Sequence, residues 1–173
     1  MQSLDAFLEY WESARGRTRR VASGIPADAL ETARTAGRWR WSLGDVVRHL
    51  AGIERGMYAE TVHGRPSRYP GHRRHLADGL EATLAYFDGS HREAMELFRA
   101  LTPGQWEGKC LTSAGTSITT WKWLRAMVEH EAHHRGQIYL MLAMQDIPTP
   151  PLYGLTEEEV LARSQPRSLS PPS

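Results

Sequence analysis

From residue 104 to residue 147 the chain contains no proline, and through this stretch Trp121, Leu124, Met127, Val128, Ile138, Met141 and Leu142 recur three and four apart. That spacing places apolar side chains on one face of an α-helix. Such a face has to be buried against another element, so the fold class is constrained before anything else is read. Three further stripes precede it. Leu4, Phe7, Leu8, Trp11, Ala14 and Val21 trace the first, and Gly24-Ile25-Pro26 ends it. Leu43, Val46, Val47, Leu50, Ile53 and Met57 form the second, opened by Ser42-Leu-Gly-Asp45 with the spacing of a capping box. The third comprises Leu80, Leu84, Phe87, Ala94, Phe98 and Leu101, stopped by Thr102-Pro103-Gly104, and Gly89 in its middle argues against a straight helix.

The sequence between these stripes is short on strand. Between Gln105 and Thr120 a β-prone run with a small-residue turn predicts a short hairpin leading into the last helix, with Thr119 or Thr120 as its cap. Residues 27–41 read as a loop carrying two aromatic anchors, Trp39 and Trp41. Residues 63–75 hold turn residues, four arginines and three histidines, and read as an exposed connection. After Gln145 the prolines predict extended chain, followed by a short helix at Thr156-Glu-Glu-Glu-Val. Four long amphipathic helices without a sheet predict an all-α four-helix bundle with an irregular or hairpin segment before its last helix. The expected domain spans 1–163, and 164–173 reads as a Ser- and Pro-rich disordered tail.

At 173 residues the chain has room for one domain. Its 21 basic and 20 acidic residues leave a net charge of +1, which gives no whole-molecule field favouring nucleic acid or an acidic membrane. The basic 63–75 loop holds a single aromatic, Tyr69, and reads as a solvated loop rather than a nucleic-acid interface. One cysteine, Cys110, excludes an internal disulfide framework and suits a reducing compartment. With no neighbouring base identifiable, it reads as a plain thiol. No secretion signal and no apolar run of about 20 residues is visible, so a soluble cytoplasmic protein is expected.

The chemistry concentrates in His130-Glu131-Ala132-His133-His134. Residues four apart on a helix lie about 40° apart around the axis and roughly 6 Å along it, so His130 and His134 can share one metal ion. Projected at about 100° per residue, the apolar stripe centres near Glu131, with His134 inside it, His130 at its edge and His133 pointing away. His133 therefore reads as a surface residue or a donor to a ligand. A buried Glu131 needs a cation or strong donor beside it, and a metal would serve. A catalytic divalent site commonly has three protein ligands and an open position. The third has two candidates. His49 borders the second stripe, and His91 falls within the third, though a lone histidine on such a face is more often a hydrogen-bonded core residue. His130-Glu131-x-x-His134 also matches the zinc-protease signature, in which the glutamate is the base. Downstream, however, only Glu157, Glu158 and Glu159 could supply a further ligand, and no sheet edge is predicted to hold a peptide. Glu131 is thus a candidate catalytic base on a metal-bound water or a hydrogen-bond partner of a ligand, and Glu54 a candidate for the latter role.

Trp41-Ser-Leu-Gly-Asp-Val-Val-Arg-His49-Leu-Ala, followed by His130-Glu-Ala-His-His134-Arg-Gly-Gln-Ile, resembles the DinB/YfiT-like family of metal-binding helical bundles, over roughly Leu4 to Gln145. The resemblance implies a four-helix bundle whose second helix gives one histidine and whose last gives an H-x-x-x-H pair. Carried over, the metal ligands are His49, His130 and His134. It implies zinc or nickel, with iron or manganese as alternatives that a tris-imidazole site also accepts. It further implies a small-molecule substrate such as a low-molecular-weight thiol, transferase or hydrolase chemistry, and a homodimer. The alternative is a non-catalytic, metal-stabilised dimeric bundle that holds a small ligand.

Overall fold

The computed structural model describes residues 3–32 and 40–164; Trp39 and residues 165–173 of the expected tail lie outside the described residues. Helix α1 (Leu4–Ser23) starts where Ser3 is extended and its hydroxyl accepts the N–H of Ala6 at 3.2 Å. This satisfies one of the donors that every helix start leaves open. Helix α2 (Leu43–Ile53) opens on the expected capping box: the Ser42 hydroxyl accepts the Asp45 N–H at 3.0 Å, and the Asp45 carboxylate accepts the Ser42 N–H at 3.1 Å. The winding then widens into a π turn (Glu54–Tyr58) before a last short turn, α3 (Ala59–Thr61). Helix α4 (Leu80–Arg99) runs through Gly89 without a break.

Helix α5 (Pro103–Glu107) follows, with Thr102 and Gln105 capping it reciprocally. Strands β1 (Lys109–Leu111) and β2 (Ser117–Thr119) pair antiparallel with Cys110 opposite Ile118, and β2 runs directly into α6 (Thr120–Ala143), whose N-cap is Thr119. The short helix expected near Thr156 is α7 (Glu157–Ser164). Among the described residues no helix is long and apolar enough to cross a membrane.

Helix α1 packs on α4 and α6, and α2 packs on the same two, so the four long helices close a ring with their stripes inward. The result is the all-α bundle the periodicity predicts. Its core forms two apolar clusters, one around Phe7, Trp11, Tyr58, Phe98, Trp106, Leu124 and Met127. The other gathers Val21, Ile25, Leu43, Val46, Val47, Leu50, Phe87, Ile138 and Leu142. Between them on three helices sits buried charge. The Arg15 guanidinium of α1 meets Glu54 of the π turn at 3.0 Å and Glu131 of α6 at 2.7 Å, and lies 3.5 Å from the centre of the Phe87 ring. The Trp11 indole donates to Glu54 at 2.7 Å.

Candidate metal centre

The capping box sets where α2 begins, and with it the helical phase that turns His49 inward, 6 % exposed, beside Leu50 and Val46. On α6, His130 and His134 lie one turn apart as the projection requires. The three imidazoles converge: His130 Nε2 is 3.2 Å from His49 Nε2 and 3.1 Å from His134 Nε2. Each offers one nitrogen in a set lying within 4.8 Å of one another, and among the described residues these three alone form such a group. Metal–nitrogen bonds of about 2.0–2.1 Å around a tetrahedral ion put ligand nitrogens roughly 3.3 Å apart, so the donor set fits a divalent ion with little movement.

Second nitrogens matter as much as first. His134 Nδ1 faces the amide oxygen of Gln137 at 2.6 Å. An amide oxygen only accepts, so Nδ1 carries the proton and Nε2 keeps a lone pair. The Gln137 amide nitrogen in turn donates to Nε2 of the exposed His133 at 3.0 Å, which holds the amide in that orientation. His49 Nδ1 lies 2.6 Å from the hydroxyl of Tyr69. The Trp41 ring closes one side, stacked 12° from parallel on His134 and 4.9 Å from His49 between centroids.

Electrostatics keep the imidazoles in their ligand form. Burial, reinforced by the imidazoles of His134, His130 and His72, pushes His49 down to about 3. Burial and the neighbouring His134 and His133 push His130 down to about 4. His134 is lowered by burial against the opposing pull of Gln137. All three are therefore neutral near pH 7, as metal ligation requires.

The other candidates lie elsewhere. Glu131 does have a cation beside it, but that cation is Arg15: the carboxylate, 2 % exposed, turns into the bundle centre and is not part of the three-nitrogen group. Glu54 joins the same ion pair instead of bracing a ligand. Burial opposes its ionisation, yet Arg15, His91 and Trp11 outweigh it and hold the carboxyl below its ordinary value. For Glu131 burial wins, and the carboxyl is pushed up. His91, the rival third ligand, bonds Glu54 at 2.8 Å and Glu12 at 3.2 Å, away from the triad. Cys110 is buried in the hairpin with its thiol raised by burial, which suits an inert thiol. A cleft of about 480 Å³ between α2 and α4, lined by residues including Gly52, Arg55, Tyr86 and Glu93, has none of the three histidines in its wall.

The 63–75 connection departs from its reading as merely exposed, because two of its aromatic rings reach the site. Arg48, fully buried, pairs with Glu31 at 2.7 Å and Asp45 at 3.1 Å and donates to the carbonyls of His72 at 2.9 Å and Ala77 at 3.1 Å. It thereby ties the connection to α2. His72 packs on Trp41 at 4.1 Å between ring centroids. Tyr69, His72 and Arg48 carried no periodic signal that would have marked them, whereas Gln137, three residues after His134, was open to the same helical projection.

A family model described as the DinB superfamily matches residues 10–138. The uncharacterized protein YrdA of Bacillus subtilis (strain 168) is 23% identical over 165 residues, covering 91% of this chain and 92% of that protein. Among solved structures, a DinB-like protein from Bacillus cereus ATCC 10987 superposes with a TM-score of 0.70 at 16% identity, over 87% of this chain and 97% of that one. The mycothiol-dependent maleylpyruvate isomerase superposes with a TM-score of 0.59 at 14% identity, over 92% of this chain and 67% of that one.

Proposed function

The chain belongs to the DinB superfamily, and from that premise we propose that it binds a divalent metal ion, zinc or nickel before iron or manganese, through His49, His130 and His134, and that it is an enzyme acting on or with a low-molecular-weight thiol. The observation that carries this reading is the convergence of three neutral imidazoles from two helices, with the proton of His134 fixed on its far nitrogen by Gln137. Three ligands leave a divalent ion open to one more group. When bound, such an ion supplies a Lewis acid that makes a water or thiol a nucleophile at neutral pH. The residues of the chain hold lone pairs in place, and Trp41 shields one side from water. That a structural neighbour is named for its dependence on mycothiol supports a thiol as the partner. Glu131 is committed to Arg15, and we read it as structural rather than as the base.

The reading is tested on purified protein by elemental analysis, as isolated and after exposure to Zn²⁺ or Ni²⁺, together with thiol-transfer rates over a panel of electrophiles. Wild type is expected to retain about one ion per chain. His134→Ala is expected to lose the ion and the activity while keeping its helical content. Protein that retains no ion sinks the metal reading. An ion-loaded protein that turns over no electrophile leaves the metal site standing and removes the thiol-transfer reading.

A further inference from the structure

We propose that Tyr69 is a positioning residue for the metal centre: seated against the π turn, it fixes the His49 ring and offers its oxygen to the Nδ1 proton of the tautomer that ligates through Nε2. This rests on the three-histidine reading above. His130 and His134 share one rigid helix, so their mutual geometry comes with α6. His49 is the sole ligand on another helix, and the orientation of its ring has to be fixed from outside.

The fixing runs through the backbone. In the π turn the N–H of Ala59 bonds the carbonyl of Glu54, five residues back, one more than in an α-helix. Within this wider turn the Gly56 carbonyl accepts the N–H of Arg68 at 2.6 Å. The approach is closer than a side chain would allow: a Cβ on Gly56 would lie 2.8 Å from the Arg68 carbonyl oxygen and 3.0 Å from the Tyr69 Cα. One turn earlier, a Cβ on Gly52 would meet the Pro70 ring at 3.2 Å. Beyond Tyr69, the buried Arg48 guanidinium holds the carbonyl of His72 at 2.9 Å. Segment 68–72 is thus fastened on both sides of Tyr69, and its hydroxyl lies 2.6 Å from His49 Nδ1.

For His49 to ligate through Nε2, the nitrogen that faces His130, its single proton has to sit on Nδ1 and needs an acceptor there. The Tyr69 hydroxyl, which both accepts and donates, is placed to be that acceptor, turning its own proton away from the ring when Nδ1 is protonated. It holds the His49 ring as Gln137 holds that of His134, with the differences that the amide oxygen of Gln137 can only accept and that Gln137 comes from the same helix, whereas Tyr69 has to be brought in by a loop. Widening the helix at Glu54–Tyr58 is what gives that loop a seat.

Zn²⁺ and Ni²⁺ binding to the full chain is measured by competition titration for wild type, Tyr69→Phe, Gly56→Ala and the double variant. Tyr69→Phe is expected to weaken binding roughly 10- to 100-fold, while the melting temperature of the ion-free protein stays near that of wild type. Gly56→Ala is expected to weaken binding by displacing the segment. The double variant should be no weaker than the weaker single variant, because both changes remove one hydrogen bond. Unchanged affinity in Tyr69→Phe, or additive losses in the double variant, overturns the proposal. Nitrogen NMR of the ion-free proteins separates this from the function itself. In Tyr69→Phe the His49 Nδ1 resonance moves and that of His134 does not. A stationary His49 overturns the role of Tyr69 whether or not wild type binds an ion, whereas a wild type that binds neither ion overturns the metal reading.

Discussion

Arg15 is the residue whose loss should cost the fold most. Its guanidinium, 2 % exposed, faces Glu54 and Glu131, both buried as deeply. Both carboxyls depend on that one guanidinium: burial pushes Glu131 up against the pull of Arg15, and for Glu54 burial is outweighed by Arg15, His91 and Trp11, which hold it below its ordinary value. Arg15→Met would strand the carboxylates, a loss expected to be about 3–5 kcal/mol in urea unfolding of the ion-free protein. A loss below about 1 kcal/mol would show that the charge there is neutralised by other means. His49 makes a second prediction. Its folded value of about 3 lies below the ordinary 6.5, so between those values the unfolded chain binds the proton and the folded chain does not. The stability that comes from this neutral histidine is complete above the ordinary value and is lost as pH falls toward the folded one. Melting scans of ion-free protein from about pH 7 to about pH 4 should show a fall that is shallower in His49→Phe. An equal slope in both would contradict the neutral, buried imidazole. At this scale the sequence was partly legible. The helical projection paired His130 with His134 and set His133 aside, family resemblance chose His49 over His91, and the stripe placed Glu131 inside. Its partner was not readable, because Arg15 lies 116 positions away.

Among the elements, what could be read was what is local. Apolar spacing located the four long helices, and the Ser42–Asp45 pair located the start of α2, since both signals lie within a few residues of their effect. The hairpin followed from a β-prone run broken by small residues. The π turn was illegible because Ile53 and Met57, four apart, keep the ordinary α-helical spacing across its start, and both pack on the core. The 63–75 connection was misjudged for a related reason. Its charge and turn residues describe the surface it shows, not the few atoms it turns inward: the Tyr69 hydroxyl, the His72 ring and the carbonyls held by Arg48. His91 is the hydrogen-bonded histidine that its place in an apolar stripe favours, and the partner it meets across the helices is the Glu54 carboxylate.

Taken whole, the bundle joins the three candidate ligands from α2 and α6, so an ion held between them would link its binding to folding. Any ion that binds the folded chain and not the unfolded one stabilises it, by about 2.7 kcal/mol at a free concentration 100 times Kd. Adding Zn²⁺ or Ni²⁺ is therefore expected to raise the melting temperature of wild type in a concentration-dependent way and to leave His134→Ala unmoved. A wild-type melting curve indifferent to the ion would contradict the linkage. The layer of charge at mid-height has a separate effect. Helices packed only through hydrocarbon can creep along one another with modest loss, but a shift of α6 by one turn, about 5.4 Å, would carry the Glu131 carboxylate away from the Arg15 guanidinium and into apolar surroundings. Arg15 works as a registration peg between three helices. Because His130 is the residue next to Glu131, the axial accuracy with which the imidazoles meet is set by an ion pair outside the three-nitrogen group.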